Sequence, residues 1–305
     1  MMGRSSCIAL RFILSMALAQ SAVGEVASPS LTVTLNEPGF PKTAGYHVIK
    51  ATALVGKQAV PFACGMFLPT AYFKTTGKMP MVVSLHTRGN SGSGGGGELV
   101  GEGLGLLIAG AGVDPRGTGD KPKDAIDLPK SAAFIALMPQ CPAAHGWADQ
   151  SVPQILAEFI TQVARAGHGD EDRVYLTGFS YGGSSTWEIA LQVPDRFAGI
   201  VPVDGRSTRD PTADVQKLKD VAIYQSVGSD DPDFIPDAKR MSDALLSMKH
   251  ARFIDHKVQG GNHWCYGSVY TDPEFWKWLF AQRRKSKTAR GSPTTFPTTG
   301  SSRGG

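Results

Sequence analysis

The segment 173–183, RVYLTGFSYGG, contains the residue types needed for nucleophilic catalysis. An apolar run leads into Gly178, Ser180 and Gly182, which have the Gly-x-Ser-x-Gly spacing, and a helical pattern follows. In such a strand-to-helix turn the glycines allow neighbouring backbone to approach closely, and the serine hydroxyl is exposed. The motif alone is common in a chain with 36 glycines. The strand before it and the helix after it favour Ser180 as a nucleophile.

A serine hydroxyl needs a base to accept its proton and an acid to orient that base. Three histidines follow Ser180, namely His250, His256 and His263. His250 ends a charged helical segment and His256 lies inside a strand pattern. His263 instead follows the last expected strand, in the loop QGGNHWCYG. We therefore predict that His263 is the base.

The acid is expected among carboxylates that follow two consecutive strands. Asp231 stands third after Gly228, which ends the apolar run VAIYQSVG, and it is the preferred acid. Asp230 and Asp233 are alternatives in the same turn. Asp204, after the preceding strand, is another. The sequence alone leaves these alternatives open.

Acyl transfer also needs two N–H donors for the oxyanion that forms on the substrate carbonyl. One is expected from Tyr181, at the N-terminus of the helix after Ser180, and the second from the loop 85–90. The glycine-rich stretch 89–103 lacks the Gly-Lys-Ser/Thr ending of a P-loop and does not match the dinucleotide fingerprint. We expect it to form a mobile rim of the site rather than a phosphate cradle.

The elements needed to position these residues are readable from periodicity. Residues 30–75 contain three extended segments that predict antiparallel strands. Short apolar runs then alternate with helical patterns, which predicts parallel strands joined by crossover helices. The expected parallel strands are 79–86, 132–140, 173–179, 197–205, 221–228 and 252–259, and the expected helices are 152–167, 184–193, 236–249 and 272–283. The predicted fold is α/β, with a mostly parallel central sheet, N-terminal antiparallel strands and helices on both faces.

The N-terminal segment 1–24 has the pattern of a signal peptide: two arginines, an apolar stretch and small residues before a cleavage site near Gly24. The stretch is shorter than the roughly 20 apolar residues needed to span a bilayer. We therefore expect a secreted or periplasmic protein with no stable membrane insertion after cleavage. The oligomeric state is not readable from the sequence.

The formal charge of +4 lies at the ends of the chain. The leader contains two basic residues, and the segment 283–305 contains six with no acid, leaving 23 basic and 27 acidic residues in the body. This balance argues against a nucleic-acid partner. The segment 283–305 is rich in Ser, Thr, Gly and Pro, so we expect a disordered tail after a single domain, 25–282.

Three cysteines remain after the leader: Cys64, Cys141 and Cys265. The chain has no Cys-x-x-Cys spacing, so no structural zinc site is expected. At most one internal disulfide can form among three cysteines, and the sequence does not indicate which.

Several longer segments are more specific than the serine motif. They are DRVYLTGFSYGGSSTWEIALQVPDRFAGIVPVDG, MPQCP followed by Trp147, and GGNHW with DPEFWKWLFAQ. Together they resemble the secreted esterase and peptidase group of α/β hydrolases, which is similar to feruloyl and acetylxylan esterases, polyhydroxybutyrate depolymerases and phospholipase/carboxylesterase proteins. The resemblance covers Met79 to Gln282.

The resemblance implies a Ser180, Asp231 and His263 triad, with the main-chain N–H groups of Tyr181 and Arg88 as oxyanion donors. It implies hydrolysis of carboxylic esters, in small molecules or attached to polysaccharides, through an acyl-enzyme and without a metal or organic cofactor. The family usually has His-Gly before the second donor, where this chain has His-Thr. Two alternatives remain: a prolyl-oligopeptidase-like serine peptidase or amidase, and a non-catalytic carbohydrate-binding or adhesion module that keeps the fold.

Overall fold

The computed structural model of the chain describes residues 30–88, 90, 102–110, 116–142, 145–149, 151–207 and 214–285. Three sequence predictions fall outside these residues: the leader 1–24, most of the glycine-rich stretch 89–103, and the tail after Lys285. Within the described residues, no helix is long and apolar enough to cross a membrane.

Nine strands form one sheet in the order β1-β2-β3-β5-β4-β6-β7-β8-β9. In chain order they are β1 (Leu31–Leu35), β2 (Gly45–Val55), β3 (Gln58–Leu68), β4 (Met79–Leu85), β5 (Ile135–Pro139), β6 (Gly169–Phe179), β7 (Gly199–Val203), β8 (Ala222–Gly228) and β9 (Phe253–Val258). The six expected parallel strands and the three expected antiparallel strands are confirmed.

The first three strands pair in antiparallel fashion, and β3 continues antiparallel onto β5. A two-residue turn joins β2 to β3, and its Gly56 has φ of 62°, a conformation that glycine adopts readily. The remaining neighbours, from β5 through β4 and β6 to β9, are all parallel. Every residue of β4, β7 and β8 is buried, because helices cover both faces of a parallel sheet.

Seven α-helices lie within the described residues: α1 (Leu104–Ile108), α2 (Leu128–Ser131), α3 (Val152–Ala166), α4 (Tyr181–Gln192), α5 (Ile235–Ser247), α6 (Tyr266–Tyr270) and α7 (Pro273–Ala281). Apolar residues of α3, α4 and α5 share a core with one face of the sheet. Those of α1, α2, α6 and α7 pack against the other face. The predicted α/β architecture with helices on both faces is therefore confirmed.

The helix α3 matches its prediction closely, because the seven apolar residues that recur at helical spacing are all buried in the core. Helix α4 begins at Tyr181, three residues before the predicted start at Ser184. Because Gly182 and Gly183 have low helix propensity, the sequence pattern did not predict the first turn of the helix. The short helices α1, α2 and α6 were not predicted, since four or five residues are too few to show a period.

The body of the structure reaches Lys285, three residues beyond the predicted domain end at Gln282. Three basic side chains after α7 form ion pairs: Arg283 with Asp170 at 3.4 Å, Arg284 with Asp172 at 3.1 Å and Lys285 with Asp220 at 2.6 Å. The first two contacts hold the segment after α7 against the beginning of β6, and the third holds it against the residues just before β8. The three described cysteines are all buried and free, so they form no disulfide with one another.

Candidate active site

Ser180 occupies the sharp turn between β6 and α4. Its backbone has φ of 57° and ψ of −115°, and its N–H donates to the Val203 carbonyl at 3.0 Å. A Cβ on Gly178 would lie 2.4 Å from the carbonyl carbon of Gly182, and one on Gly182 would lie 2.3 Å from the Leu85 oxygen. Only glycine fits at either position, as the motif predicts.

His263 lies in the loop between β9 and α6 and reaches Ser180. Its Nε2 is 2.9 Å from the Ser180 Oγ. The imidazole stacks on Phe234, with ring centroids 4.5 Å apart and planes at 25°, and it also contacts Phe179 and Trp264. These three aromatic rings restrict the orientation of the imidazole.

Asp231 completes a continuous hydrogen-bonded chain. Its Oδ2 lies 2.8 Å from the Nδ1 of His263, and its side chain is almost fully buried. Because Nδ1–H donates to the carboxylate, Nε2 is left to accept from the Ser180 hydroxyl. Asp230 and Asp233 are exposed, so the structure places Asp231, and not its two neighbours, at the histidine.

Asp204, the fourth candidate acid, lies at the end of β7 and is 1% exposed. One carboxylate oxygen accepts the Gly228 N–H at 3.0 Å, and the other accepts the Cys265 S–H at 2.9 Å. Burial raises the pKa of Asp204 to about 7. Its hydrogen bonds therefore go to the backbone and a thiol, while Asp231 takes the position beside His263.

Asp204, Asp231 and His263 bring ligand-type atoms within 4.8 Å of one another. Two carboxylates and an imidazole are donors that suit a divalent cation. Here, however, one imidazole nitrogen donates to Asp231 and the other accepts from Ser180. Metal ligation would break one of these bonds, so the observed arrangement suits proton transfer better than cation binding.

The loop after β4 lies against the first turn of α4. A Cβ built on Gly182 would come within 2.3 Å of the Leu85 oxygen and 3.0 Å of the His86 oxygen. The Arg88 guanidinium lies over the Tyr181 ring, 5.6 Å from its centroid. The two predicted oxyanion residues are thus neighbours, and Tyr181, as the first residue of α4, has an N–H with no intrahelical acceptor.

His86 holds this loop in place, a role that the sequence analysis missed. Its Nδ1 bonds the Thr87 carbonyl at 2.9 Å, and its Nε2 accepts the Cys141 N–H at 3.0 Å. The ring also contacts Trp147, with centroids 5.0 Å apart. Burial lowers the pKa of His86, consistent with a neutral ring that donates through Nδ1 and accepts through Nε2. The segment MPQCP with its following Trp147 was the available signal.

The two histidines that were not chosen have other partners. His250 bonds the Leu218 carbonyl at 3.0 Å, and His256 lies in β9 beside Ser226 at 3.1 Å. Neither contacts Ser180 in a described hydrogen bond. The sequence analysis also missed Phe234 and Cys265, although each lies within three residues of a predicted site residue.

Comparisons with known proteins relate the chain to hydrolases. Residues 140–259 match the model of the Dienelactone hydrolase family, a stretch that includes Ser180 and Asp231 and ends just before His263. The chain is 30% identical over 112 residues to "Putative esterase NocK" of Nocardia uniformis subsp. tsuyamanensis, a match that covers 33% of this chain and 32% of that protein. The chain thus spans about a third of the length of this relative.

Solved structures show the same fold. A thermostable esterase superposes with a TM-score of 0.61 at 22% identity, covering 78% of this chain and 63% of the other. The S-formylglutathione hydrolase of Staphylococcus aureus superposes with a TM-score of 0.52 at 14% identity, covering 78% and 98%. The chain has the α/β-hydrolase fold.

Proposed function

We propose that this chain is a serine hydrolase that cleaves carboxylic esters through an acyl-enzyme on Ser180. The observation that carries the proposal is the hydrogen-bonded chain from Ser180 through His263 to Asp231, with distances of 2.9 and 2.8 Å. The strained backbone of Ser180 and the glycines around it support the same role. The esterase names of the matched relatives favour an ester over an amide substrate.

In the first half of the proposed reaction, His263 Nε2 takes the Ser180 proton while Oγ attacks the ester carbonyl carbon. The carbonyl π electrons move to oxygen, and the tetrahedral intermediate then collapses to the acyl-enzyme. The C–O bond to the alcohol breaks, and the alcohol leaves with the proton from His263. Water repeats these steps on the acyl-enzyme, which releases the acid and restores the Ser180 hydroxyl. Asp231 stabilises the positive charge on the imidazolium throughout.

We assign the oxyanion site to the main-chain N–H groups of Tyr181 and Arg88. The contact between the loop after β4 and the first turn of α4 supports this pairing. Thr87 stands where the family that the sequence resembles usually has glycine; it is buried, and its carbonyl accepts the His86 bond. We expect that bond to hold the Arg88 N–H in place despite the extra side chain. Losing one such donor would lower turnover by about 10²–10³-fold.

The proposal is tested by labelling the folded protein with a fluorophosphonate and by screening acetyl, butyryl, feruloyl and hydroxybutyryl esters. Ser180→Ala should abolish labelling and reduce hydrolysis by about 10⁴-fold or more. Ser185→Ala is the matched control, since that hydroxyl bonds the Tyr181 carbonyl rather than His263 and should leave activity intact. Hydrolysis that survives Ser180→Ala would refute the mechanism.

The same triad could cleave amides, so aminoacyl and prolyl amides should be assayed beside the esters. Faster amide than ester cleavage would replace the esterase proposal with a peptidase or amidase. A folded protein that resists the fluorophosphonate would support a non-catalytic binding module.

We also propose that the protein is secreted or periplasmic, on the basis of the segment 1–24. N-terminal sequencing of the protein from the extracytoplasmic fraction should give a start near Glu25. An uncleaved chain that stays in the cytoplasm would contradict this proposal.

A further inference from the structure

One buried carboxyl group connects the two loops that position the acid and the base. Asp204 lies at the end of β7, beside the strand that carries Ser180. Its side chain bonds Gly228, the last residue of β8, and Cys265, the residue directly before α6. Both partners lie at the bases of loops that hold predicted triad residues.

On the acid side, Gly228 anchors the turn that contains Asp231. The Asp231 N–H donates to the Gly228 carbonyl at 3.2 Å, while the Gly228 N–H donates to Asp204. A Cβ on Gly228 would lie 2.3 Å from the Gly261 oxygen, so the two loops also touch here. The Asp204 bond therefore fixes the position from which Asp231 projects.

On the base side, Cys265 closes the turn that contains His263. Its N–H donates to the Asn262 carbonyl at 3.2 Å, and its thiol donates to Asp204 at 2.9 Å. The thiol is fully buried, which leaves it no water to bond instead. The link to Asp204 thus ties the histidine loop to the end of β7.

The backbone conformation and the burial of Asp204 both lower the stability of the fold. No described hydrogen bond joins Asp204 to Ser180 or His263. It has φ of 43°, unusual for a residue other than glycine, and its carboxyl group is removed from water. Both of its side-chain hydrogen bonds go to the bases of the triad loops. A role limited to packing would not need a carboxyl group with this pair of partners.

We propose that Asp204 is a positioning residue that holds the Asp231 turn and the His263 turn in register with Ser180. The expected effect on kcat rests on the proposed function. The hydrogen bonds of Asp204 do not depend on that function. Because Asp204 acts by orienting Asp231 and His263, its loss should lower kcat much more than it changes KM.

The test compares Asp204→Ala, which loses both acceptors, with Asp204→Asn, which keeps an oxygen for the Gly228 N–H. We expect kcat to fall about tenfold to a hundredfold in the alanine variant and by less in the asparagine variant. Cys265→Ala should also lower kcat, and Cys265→Ser should recover most of that loss because its O–H can donate to Asp204. Cys64→Ala is the control, since this buried thiol lies on β3, separated from β6 by two strands.

A pH profile gives a readout that packing alone would not change. Among the described residues, the titratable groups that face Asp204 are Asp231 from the turn after β8, His263 from the loop after β9, and Cys265 and Tyr270 from the segment around α6. With the pKa of Asp204 raised to about 7 by burial, its ionisation adds a second negative charge beside the imidazolium. The wild-type kcat/KM profile should therefore depart from a single-ionisation curve near pH 7, and Asp204→Asn should remove this departure.

A second measurement does not need catalysis. The His263 Nδ1–H, held by Asp231, should give a far-downfield proton resonance in the wild type, and Asp204→Ala and Cys265→Ala should shift or broaden it. Wild-type kcat and an unchanged resonance in folded variants would overturn the positioning role. Absence of wild-type fluorophosphonate labelling would instead overturn the proposed function, and the resonance would still test the inference.

Discussion

The backbone of Ser180 gives a stability prediction that is independent of any substrate. Its φ of 57° and ψ of −115° match the first central position of a type II′ turn, which glycine normally occupies. A residue with a Cβ in such a sparsely populated region costs about 1–3 kcal/mol. Ser180→Gly should release this cost, whereas Ser180→Ala should retain it.

The two variants lose the same hydroxyl, and with it the same bond to His263, so their difference isolates the backbone. Glycine also increases the entropy of the unfolded chain, which offsets about 0.4–1 kcal/mol of the gain. We therefore expect Ser180→Gly to be more stable than Ser180→Ala by about 1 kcal/mol. For a domain of this size, that corresponds to a Tm difference of about 2–4 °C.

Urea unfolding of both variants at one pH, with equal m-values, measures this difference directly. Ser185 provides the control, because it lies inside α4 with ordinary helical geometry. At this position the order should reverse: the free energy of unfolding of Ser185→Gly should be about 1 kcal/mol lower than that of Ser185→Ala. If Ser180→Gly proved no more stable than Ser180→Ala, the assignment of strain to this turn would be wrong.

Three further predictions concern buried groups. Since burial raises the pKa of Asp204 from 3.8 to about 7, the folded state holds a proton that the unfolded state has lost. The contribution of this group to stability should therefore fall between pH 4 and 7, by up to about 4 kcal/mol, and Asp204→Asn should lack that slope in denaturation measured across this range. Gly183→Ala would place a Cβ 2.4 Å from the Val203 oxygen, so it should lower the free energy of unfolding by about 1–3 kcal/mol, while Gly146→Ala, which meets only ordinary contacts, should change it little. Asp170 is buried, which raises its pKa, but hydrogen bonds and charges from two arginines outweigh burial and hold the pKa below its usual value. Asp170→Asn should thus cost about 1–3 kcal/mol at pH 7, and thermal melts of the two proteins should converge as the pH falls through the depressed pKa.

The sequence predicted the strands and helices whose apolar residues follow a regular pattern. Strands buried on both faces are continuous apolar runs, and α3 shows seven apolar residues at helical spacing, so both were found close to their observed bounds. The beginning of α4 was missed because Gly182 and Gly183 are required by backbone contacts at the turn rather than by helix propensity. Local propensity carries no information about such contacts.

The sequence predicted those members of the candidate site for which the proposed chemistry allows only one residue type in a recognisable local context. The candidate nucleophile and the candidate base each had one position with the right context, and the structure brings Ser180 and His263 together. The choice of Asp231 over Asp204 depends on which carboxylate faces the imidazole, and this is set by loops that converge from different strands. The roles of His86 and Cys265 likewise arise from contacts between segments far apart in the chain.

The reaction rates of the three buried thiols with a thiol reagent can measure local opening of the structure. Burial raises the pKa of each, to about 12 for Cys141 and further for Cys64 and Cys265, so the reactive thiolate is almost absent in the closed structure. A thiol reagent should react only when the surrounding structure opens. Reaction at Cys265 would then report opening of the histidine loop, while reaction at Cys64, fully buried on β3, would report opening of the sheet core around that strand. The same chain could thus reveal, without an added label, whether the proposed site opens independently of the fold that supports it.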